Sequence, residues 1–231
     1  MTVKRGLIVA IDGLAGSGKS TTAKLVAKRL GFMHIDTGAM YRAVALKMLR
    51  LGVDITDTNG IDDMLEETQV SEREVNGQTR VLLDGEDVTD EIRTPEISIW
   101  VGPVSEHALI RQHLVQWQRE LGKSGSVVLE GRDIGTVVFP DADLKVYMVA
   151  DLKTRAKRRR KEMLTKGIDQ NTGDVETALA ARDVRDSTRE HSPLRKSADA
   201  IELDTSDLTI GDQVDRVVDL VRRAEQSGSS K

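Results

Sequence analysis

The sequence predicts an α/β fold, a sheet of aliphatic strands sandwiched by helices, and three observations lead there. Short apolar runs alternate along the chain with segments of helical length. Hydrophobic residues make up 39% of the 231 and aromatics only 3%, so the core is aliphatic, as a helix-covered sheet requires. The third observation is local. Leu7-Ile8-Val9-Ala10-Ile11 is an unbroken apolar run, the pattern of a parallel strand buried on both faces, and it leads straight into Gly-Leu-Ala-Gly-Ser-Gly-Lys-Ser at 13–20. Thr21 to Leu30 then holds no Gly or Pro and is closed by Gly31, which reads as a helix and its stop.

Residues 13–20 match G-x-x-x-x-G-K-[ST], and strand, glycine loop and helix are the setting of a Walker A loop. Gly13, Gly16 and Gly18 let the backbone, with Leu14, Ala15 and Ser17 between them, curl into a nest of N–H groups aimed at phosphate oxygens. The helix opening at Lys19 adds the positive end of its dipole. Lys19 is expected to reach the β- and γ-phosphates of a nucleoside triphosphate, the Ser20 hydroxyl to ligate Mg²⁺, and Thr21 to complete the ATP-binding stretch.

Composition narrows the rest. The net charge of −4 lacks the footprint of a nucleic-acid binder, and charged residues, 31% of the chain, are interspersed as on a solvated surface. The absence of cysteine excludes disulfides, thiolate zinc sites and a cysteine nucleophile, and fits a reducing, cytoplasmic setting. No apolar run approaches the roughly 20 residues of a membrane span. Met1 to Arg5 lead directly into the first strand, so no signal peptide is expected.

The chain then reads in order. Phe32 to Ile35 is a second strand, and Asp36 or Thr37 caps a helix with Met40, Val44, Met48 and Leu51 on one face. Thr37 and Arg42 thus lie near a strand's carboxyl end, where open α/β sheets bind ligands. There Arg42 is either a solvated helix charge or a fork for a second phosphate group. Residues 62 to 93 change character: an acidic segment is followed by Gln69–Val75 and Gln78–Asp84 about Asn76-Gly77, a hairpin signal, with Val88–Ile92 as a third short strand. A small antiparallel sheet interrupting a βαβ chain reads as an insertion.

Thr94-Pro95 opens a helix expected to break at Gly102-Pro103 and to restart after Ser105, with Leu109, His113 or Leu114, Trp117 and Leu121 inward. Arg111 on it is ambiguous alone. Trp100 and Trp117 are taken as packing residues, and none of the four histidines has metal-ligand spacing. Ser126 to Leu129 is a third buried strand, followed by Glu130-Gly131-Arg132-Asp133-Ile134-Gly135-Thr136, a polar loop of the kind that carries function, with Glu130 placed as a Walker B acid would be.

Leu144 to Ala150 is a fourth strand, and Asp151 caps a helix from Leu152 to about Lys166. Seven of the nine residues from 153 to 161 are basic: a solvated face, a nucleic-acid patch, or an arm that closes over ATP phosphates and supplies an arginine finger. A helix from Asp174 carries Arg182, Arg185, Asp186 and Arg189 on one stripe, which a salt-bridge ladder would equally explain. Ala200 to Leu203 is a fifth strand, Ile210 to Arg223 a final helix, and 226–231 a polar tail expected to be disordered.

Taken in order, IDGLAGSGKST (Ile11 to Thr21), DTGAMYR (Asp36 to Arg42), GEDVTDEIRTPE (Gly85 to Glu96), EGRDIGTVVFPDAD (Glu130 to Asp143) and RDVRDSTREHSPL (Arg182 to Leu194) resemble the bacterial cytidylate kinase family. The resemblance implies a P-loop NTPase three-layer sandwich: a five-stranded parallel sheet, a small antiparallel β insertion and a helical lid. It implies one kinase domain over 1–225, with an acceptor-side insertion at about 62–104 and a lid at about 153–172. It implies transfer of the γ-phosphoryl group of ATP to CMP or dCMP with Mg²⁺. Neither nucleic acid nor membrane is expected as a partner, and the chain is expected to be a monomer.

Carried over to this chain, the family's acceptor site falls on Thr37, Tyr41, Arg42, Arg111, Arg132, Asp133, Arg182, Asp186 and Arg189, and its lid arginines on Arg155 and Arg159. With Lys19 and Arg132 these two arginines form the expected catalytic set. Asp133 and Arg111 would read cytosine, which offers an amine donor beside two acceptors. Arg42, Arg132 and Arg189 would clamp the acceptor phosphate, and Arg182 and Asp186 would meet the sugar. Two positions depart from the family pattern: Gly102 stands where a base-contacting serine is frequent, and Glu130 where Asp is frequent. The alternative is another small-molecule P-loop kinase, of UMP/CMP or shikimate type; a guanine-nucleotide switch would need an N-K-x-D motif, which the chain lacks.

Overall fold

The computed structural model describes residues 5–76, 78–165 and 167–228. In chain order its elements are β1 (Ile8–Gly13), α1 (Lys19–Leu30), β2 (Met33–Asp36), α2 (Thr37–Leu51), α3 (Thr58–Glu66), β3 (Val70–Val75), β4 (Gln78–Leu83), β5 (Glu86–Asp87), α4 (Pro95–Glu106) and α5 (Ala108–Gly122), then β6 (Val127–Gly131), β7 (Leu144–Val149), α6 (Leu152–Thr165), α7 (Thr172–Thr188), β8 (Ile201–Asp204) and α8 (Ile210–Gly228). A 3₁₀ turn lies at Glu91–Arg93 and a wider, π-type turn at Ile134–Val138. They form two compact units, one made of the chain up to His34 with Gly122 onward, the other of Ile35–Leu121.

The first unit holds the expected parallel sheet, in the order β2-β6-β1-β7-β8. β1 is buried along its whole length because it has a strand on each side, pairing Ile8↔Val127 through Asp12↔Gly131 with β6 and Val9↔Leu144 through Gly13↔Met148 with β7. Met33, in the part of β2 that belongs to this unit, joins by its N–H to the Ser126 carbonyl at 2.8 Å. An apolar cluster of Val9, Ile11, Val128, Val146 and Met148 with Ala23, Val26, Val214, Val217 and Val221 packs α1 and α8 on the sheet, and it contains no aromatic among its buried residues. A smaller cluster, Ala156, Val175 and Leu179 with Ala15, joins α6 and α7 to the glycine loop. Because strand order reverses about β1, the carboxyl ends of β1 and β6 open a crevice where ligands bind in such sheets.

The second unit places α2, α3, α4 and α5 beside the antiparallel sheet β3-β4-β5. Asp36 caps α2, its carboxylate accepting the Ala39 N–H at 3.0 Å. Met40, Val44 and Met48 are buried as expected, whereas Leu51, in the last turn, is 61% exposed. β3 and β4 pair from Val70↔Leu83 to Val75↔Gln78, so the connection is the two-residue one at Asn76-Gly77. Asn76 takes the left-handed conformation (φ 52) that asparagine tolerates, and Gly77 lies outside the described residues.

Three expectations need correction. The third short strand is Glu86–Asp87, not Val88–Ile92: the Asp87 carboxylate accepts the Thr89 N–H and hydroxyl at 3.0 and 2.6 Å, which turns the chain out of the ladder. α4 runs through Gly102-Pro103 and breaks instead at His107 (ψ 121). A residue before proline is driven out of the helical region largely through its Cβ, and Gly102 has none. The inward stripe of α5 is Ile110, Leu114 and Gln118 with Arg111, while Leu121 is 44% exposed. The break at His107, not at Pro103, sets the phase of that helix.

α8 extends to Gly228, so the tail expected from 226 begins inside a helix, and 229–231, like Lys166, lie outside the described residues. Among the described residues no helix is long and apolar enough to cross a membrane.

Met148 is fully buried between the sheet and its helices. Met148→Ala is expected to cost about 2–5 kcal/mol in denaturant unfolding through the cavity it leaves.

Candidate active site

The glycine loop joins β1 to α1 at the carboxyl end of the sheet. Gly13 has φ +143, and a Cβ there would collide with the Met148 carbonyl, which also accepts the Leu14 N–H at 3.3 Å. Gly18 has φ +99 and sits against Gln213 of α8, whose Oε1 would lie 2.7 Å from a Cβ. The same Oε1 accepts the Thr22 hydroxyl at 2.8 Å. The loop's carbonyls are bonded from within the unit. Leu14 O accepts Lys19 Nζ at 2.8 Å and Ser17 Oγ at 2.9 Å; Ala15 O accepts Arg155 Nη1 at 3.3 Å; Ser17 O accepts Thr205 Oγ1 at 2.8 Å and Arg158 Nη1 at 3.4 Å. Gly16, Ser20 and Thr21 are exposed.

Lys19 is only 5% exposed. Burial is the main reason its ammonium falls to about 7; the Arg132 charge adds to the fall, and Glu130 opposes it. The Ser20 hydroxyl donates to Glu130 Oε2 at 2.8 Å, and His34 Nε2 stands 3.8 Å from the other oxygen. A hydroxyl and a carboxylate are hard oxygen donors that suit Mg²⁺. Among the described residues no cluster of three His, Asp or Glu side chains could hold an ion by itself. A cation here would therefore keep waters and substrate phosphates as its other ligands, as Mg²⁺ prefers.

Beyond β6 the chain leaves the sheet at Arg132. Arg132 Nε donates to Asp186 Oδ2 at 2.7 Å, and Arg182 Nε lies 3.9 Å from the same oxygen. Arg189 stands 3.7 Å from Asp133 Oδ1 and donates to the Ser192 carbonyl at 2.7 Å. Burial alone would raise the Asp186 carboxyl, but Arg132, Arg182 and Arg189 outweigh it and hold the group below its ordinary range. So Arg132, Asp133, Arg182, Asp186 and Arg189 are brought together in one unit, with Arg132's charge felt at Lys19.

The other expected acceptor residues lie in the second unit. Thr37 and Tyr41 occupy the first turns of α2 and are buried. Arg111, 4% exposed, has its guanidinium 5.7 Å from the centre of the Tyr41 ring and donates to the Ser105 carbonyl at 3.1 Å, closing the end of α4. Arg42 donates to the Ile92 carbonyl at 3.2 Å and to Ser98 Oγ at 3.0 Å. Ser105 Oγ donates to the Gly102 carbonyl.

Of the two lid arginines, Arg155 is buried and donates to the Ala150 and Ala15 carbonyls and, at 2.6 Å, to Asp183. Arg159 is not brought to the glycine loop; it pairs with Glu162 at 2.8 Å on an exposed face. Arg158 takes the place beside the loop, bonding Ser17, Thr205 and Leu208. Sequence reasoning did not single out Arg158, Thr205, Gln213 or Asp12. For Asp12 a signal existed, a lone acid following the apolar run of β1. It is 5% exposed and accepts the Ile134 N–H at 2.9 Å and the Gly135 N–H at 2.7 Å.

A family model described as cytidylate kinase matches residues 9–223. A cytidylate kinase of Chloroherpeton thalassium is 49% identical to this chain over 226 residues, covering 95% of this chain and 94% of its own. One of Geobacter sulfurreducens is 45% identical over 224 residues, covering 97% and 96%. One of Bacillus pumilus is 45% identical over 224 residues, covering 97% and 100%.

Burial pushes the Asp12 carboxyl up from 3.8 to about 6; Asp133 adds to the rise, while the Gly135 and Ile134 N–H groups and Lys19 pull it back. The folded state thus holds this proton more tightly than the unfolded chain, so the group stabilises the fold in acid and loses that contribution as pH rises through about 6. Asp12→Asn removes the dependence. Denaturant titrations at about pH 5 and about pH 7.5 should show the stability difference moving toward the variant by on the order of 1 kcal/mol.

Proposed function

The chain belongs to the cytidylate kinase family and is a nucleoside monophosphate kinase, and we propose that it moves the γ-phosphoryl group of ATP in line onto the phosphate of CMP or dCMP. What supports this most within one unit is a glycine loop with Lys19 and Ser20 beside a cluster of three guanidinium groups threaded by Asp133 and Asp186. The first cluster suits a polyphosphate donor, the second a phosphate-bearing acceptor.

In this reading the loop at 13–21, through N–H groups other than that of Leu14, which the Met148 carbonyl accepts, and the dipole of α1 hold the ATP phosphates, and Lys19 bridges the β and γ groups. Ser20 and Glu130 would hold Mg²⁺, which supplies charge neutralisation on the phosphate oxygens when bound. The acceptor phosphate, with a second pKa of about 6, is largely dianionic at neutral pH and attacks without a general base. The protein's task is then alignment and charge stabilisation.

Acceptor recognition is assigned to two sets of residues. In the first unit, Arg132 and Arg189 take phosphate oxygens, Arg182 and Asp186 the sugar, and Asp133 accepts from the cytosine amine. In the second, Arg42 takes phosphate, Arg111 donates to the base, and Thr37 and Tyr41 complete the contacts. UMP offers a carbonyl where CMP offers an amine, so a carboxylate at 133 disfavours it. Arg155 acts through the Ala15 carbonyl of the loop. Arg159 pairs with an exposed partner three residues away, Glu162, a pair worth well under about 1 kcal/mol, which a transferring phosphoryl group can displace. A cytoplasmic setting, where ATP and CMP are both at hand, is part of this proposal.

A coupled ADP-release assay across CMP, dCMP, UMP, AMP and shikimate tests the assignment. Turnover with CMP or dCMP well above UMP, AMP and shikimate is expected; preference for any of those last three overturns it. Lys19→Ala should slow transfer by about 10²-fold or more. Arg42→Ala should raise the CMP KM about tenfold or more and leave the ATP KM within about twofold; an unchanged CMP KM refutes the role of Arg42.

A further inference from the structure

The ladder between β1 and β6 ends at the pair Asp12↔Gly131. The two residues that follow, Arg132 and Asp133, have no strand to hold them, and Asp133 is neither helical nor extended (φ −145, ψ 24). The chain then enters the five-residue turn Ile134–Val138, closed by Val137 and Val138 N–H to the Asp133 carbonyl at 2.9 and 3.2 Å and by Phe139 N–H to the Ile134 carbonyl at 2.7 Å. None of these bonds uses the first two N–H groups of the turn. Both are taken by Asp12, one on each carboxylate oxygen. The fit is close, since a Cβ at Gly135 would stand 3.4 Å from Asp12 Oδ2 and 3.1 Å from Lys145 Cδ. Lys145 holds the far end of the same loop, donating to the Pro140 carbonyl at 2.5 Å and to Asp199 at 2.8 Å.

We propose that Asp12 is a positioning residue for acceptor binding: its buried carboxylate fixes the peptide at Ile134 and Gly135 and thereby aims Arg132 and Asp133. This rests on the assignment of those two residues to the acceptor. Asp12 is the penultimate residue of β1, the strand that opens into the glycine loop, so one rigid element sets both the phosphate donor's cradle and the acceptor's loop. Only a carboxylate offers an oxygen to each of two adjacent N–H groups. An asparagine offers one oxygen and turns an N–H₂ toward the other donor, leaving a buried N–H without a partner. Burying the charge is unfavourable, and it raises the affinity of Asp12 for its proton. A site that needed only to be filled would be served better by an apolar residue.

The test is steady-state kinetics on Asp12→Asn and Asp12→Glu near pH 7.5, with CMP and ATP varied in turn. Asn removes one acceptor; Glu keeps the charge and shifts the loop by a methylene. Both should raise the CMP KM about tenfold with the ATP KM within about twofold, since an error of about an ångström in positioning costs up to about a hundredfold. In an Arg132→Ala background Asp12→Asn should raise the CMP KM by clearly less than the roughly tenfold it causes in the wild type, because one of the two residues it acts through is gone. An unchanged CMP KM in both variants, an equal rise in both KM values, or full additivity with Arg132→Ala overturns the proposal. If one variant fails to fold, the other carries the same readout. If the wild-type protein does not phosphorylate CMP at all, it is the acceptor assignment that fails, a result visible before any variant is made.

Discussion

The first unit depends on how the carbonyls of the glycine loop are satisfied. A loop whose N–H groups must remain available to phosphate has to find partners for its C=O groups elsewhere, and buried peptide groups cannot go without them. Leu14, Ala15 and Ser17 find theirs in side chains from α1, α6 and the segment after β8. Two distant stretches of sequence, α6 and the segment after β8, are thereby spent with Lys19 on holding eight residues in shape. The cost of ordering the loop is met during folding, so little is left to meet when a nucleotide arrives.

The same economy governs the charges. Arg132, Arg182 and Arg189 are buried or half-buried cations, and each stands against a carboxylate, Asp186 or Asp133. Unpaired guanidinium groups at such depth would repel one another and depress the Lys19 ammonium further than Arg132 already does. The carboxylates keep the cluster stable while leaving donor capacity on the arginines, for a guanidinium carries five N–H groups. In the proposed function a dianionic phosphate is received by adding bonds to a cluster already assembled.

How much of this was legible in the sequence differs by scale. The glycine loop, the Asp36 and Thr94 caps and the Asn76-Gly77 hairpin rest on local chemistry, and each stands where the residues place it. The loop after β6 was visible because polar residues gathered at the end of an apolar strand. What was hidden depends on neighbours in space. Gly102-Pro103 looks like a break, but with no Cβ before the proline the helix passes through. Leu51 has the right period and the wrong end of the helix, so it faces water. Asp12 looks like the last residue of a strand, and only the path of residues 132–139 gives its carboxylate two donors.

The basic run at 153–161 shows why a charge run says little until its side chains are placed. Arg155 and Arg158 turn into the protein and bond carbonyls of the glycine loop. Arg160 bonds the Gln170 carbonyl and Asp169, and Arg159 takes Glu162. Lys153, Lys157 and Lys161, spaced by four, form the exposed stripe of the helix. Four of the seven cations are thus occupied within the chain, and a patch able to neutralise a run of nucleic-acid phosphates would need most of them facing outward together. Read through its hydrogen bonds, the run is a brace for the nucleotide loop with a solvated lysine face, which reconciles a densely basic helix with a chain whose net charge is −4.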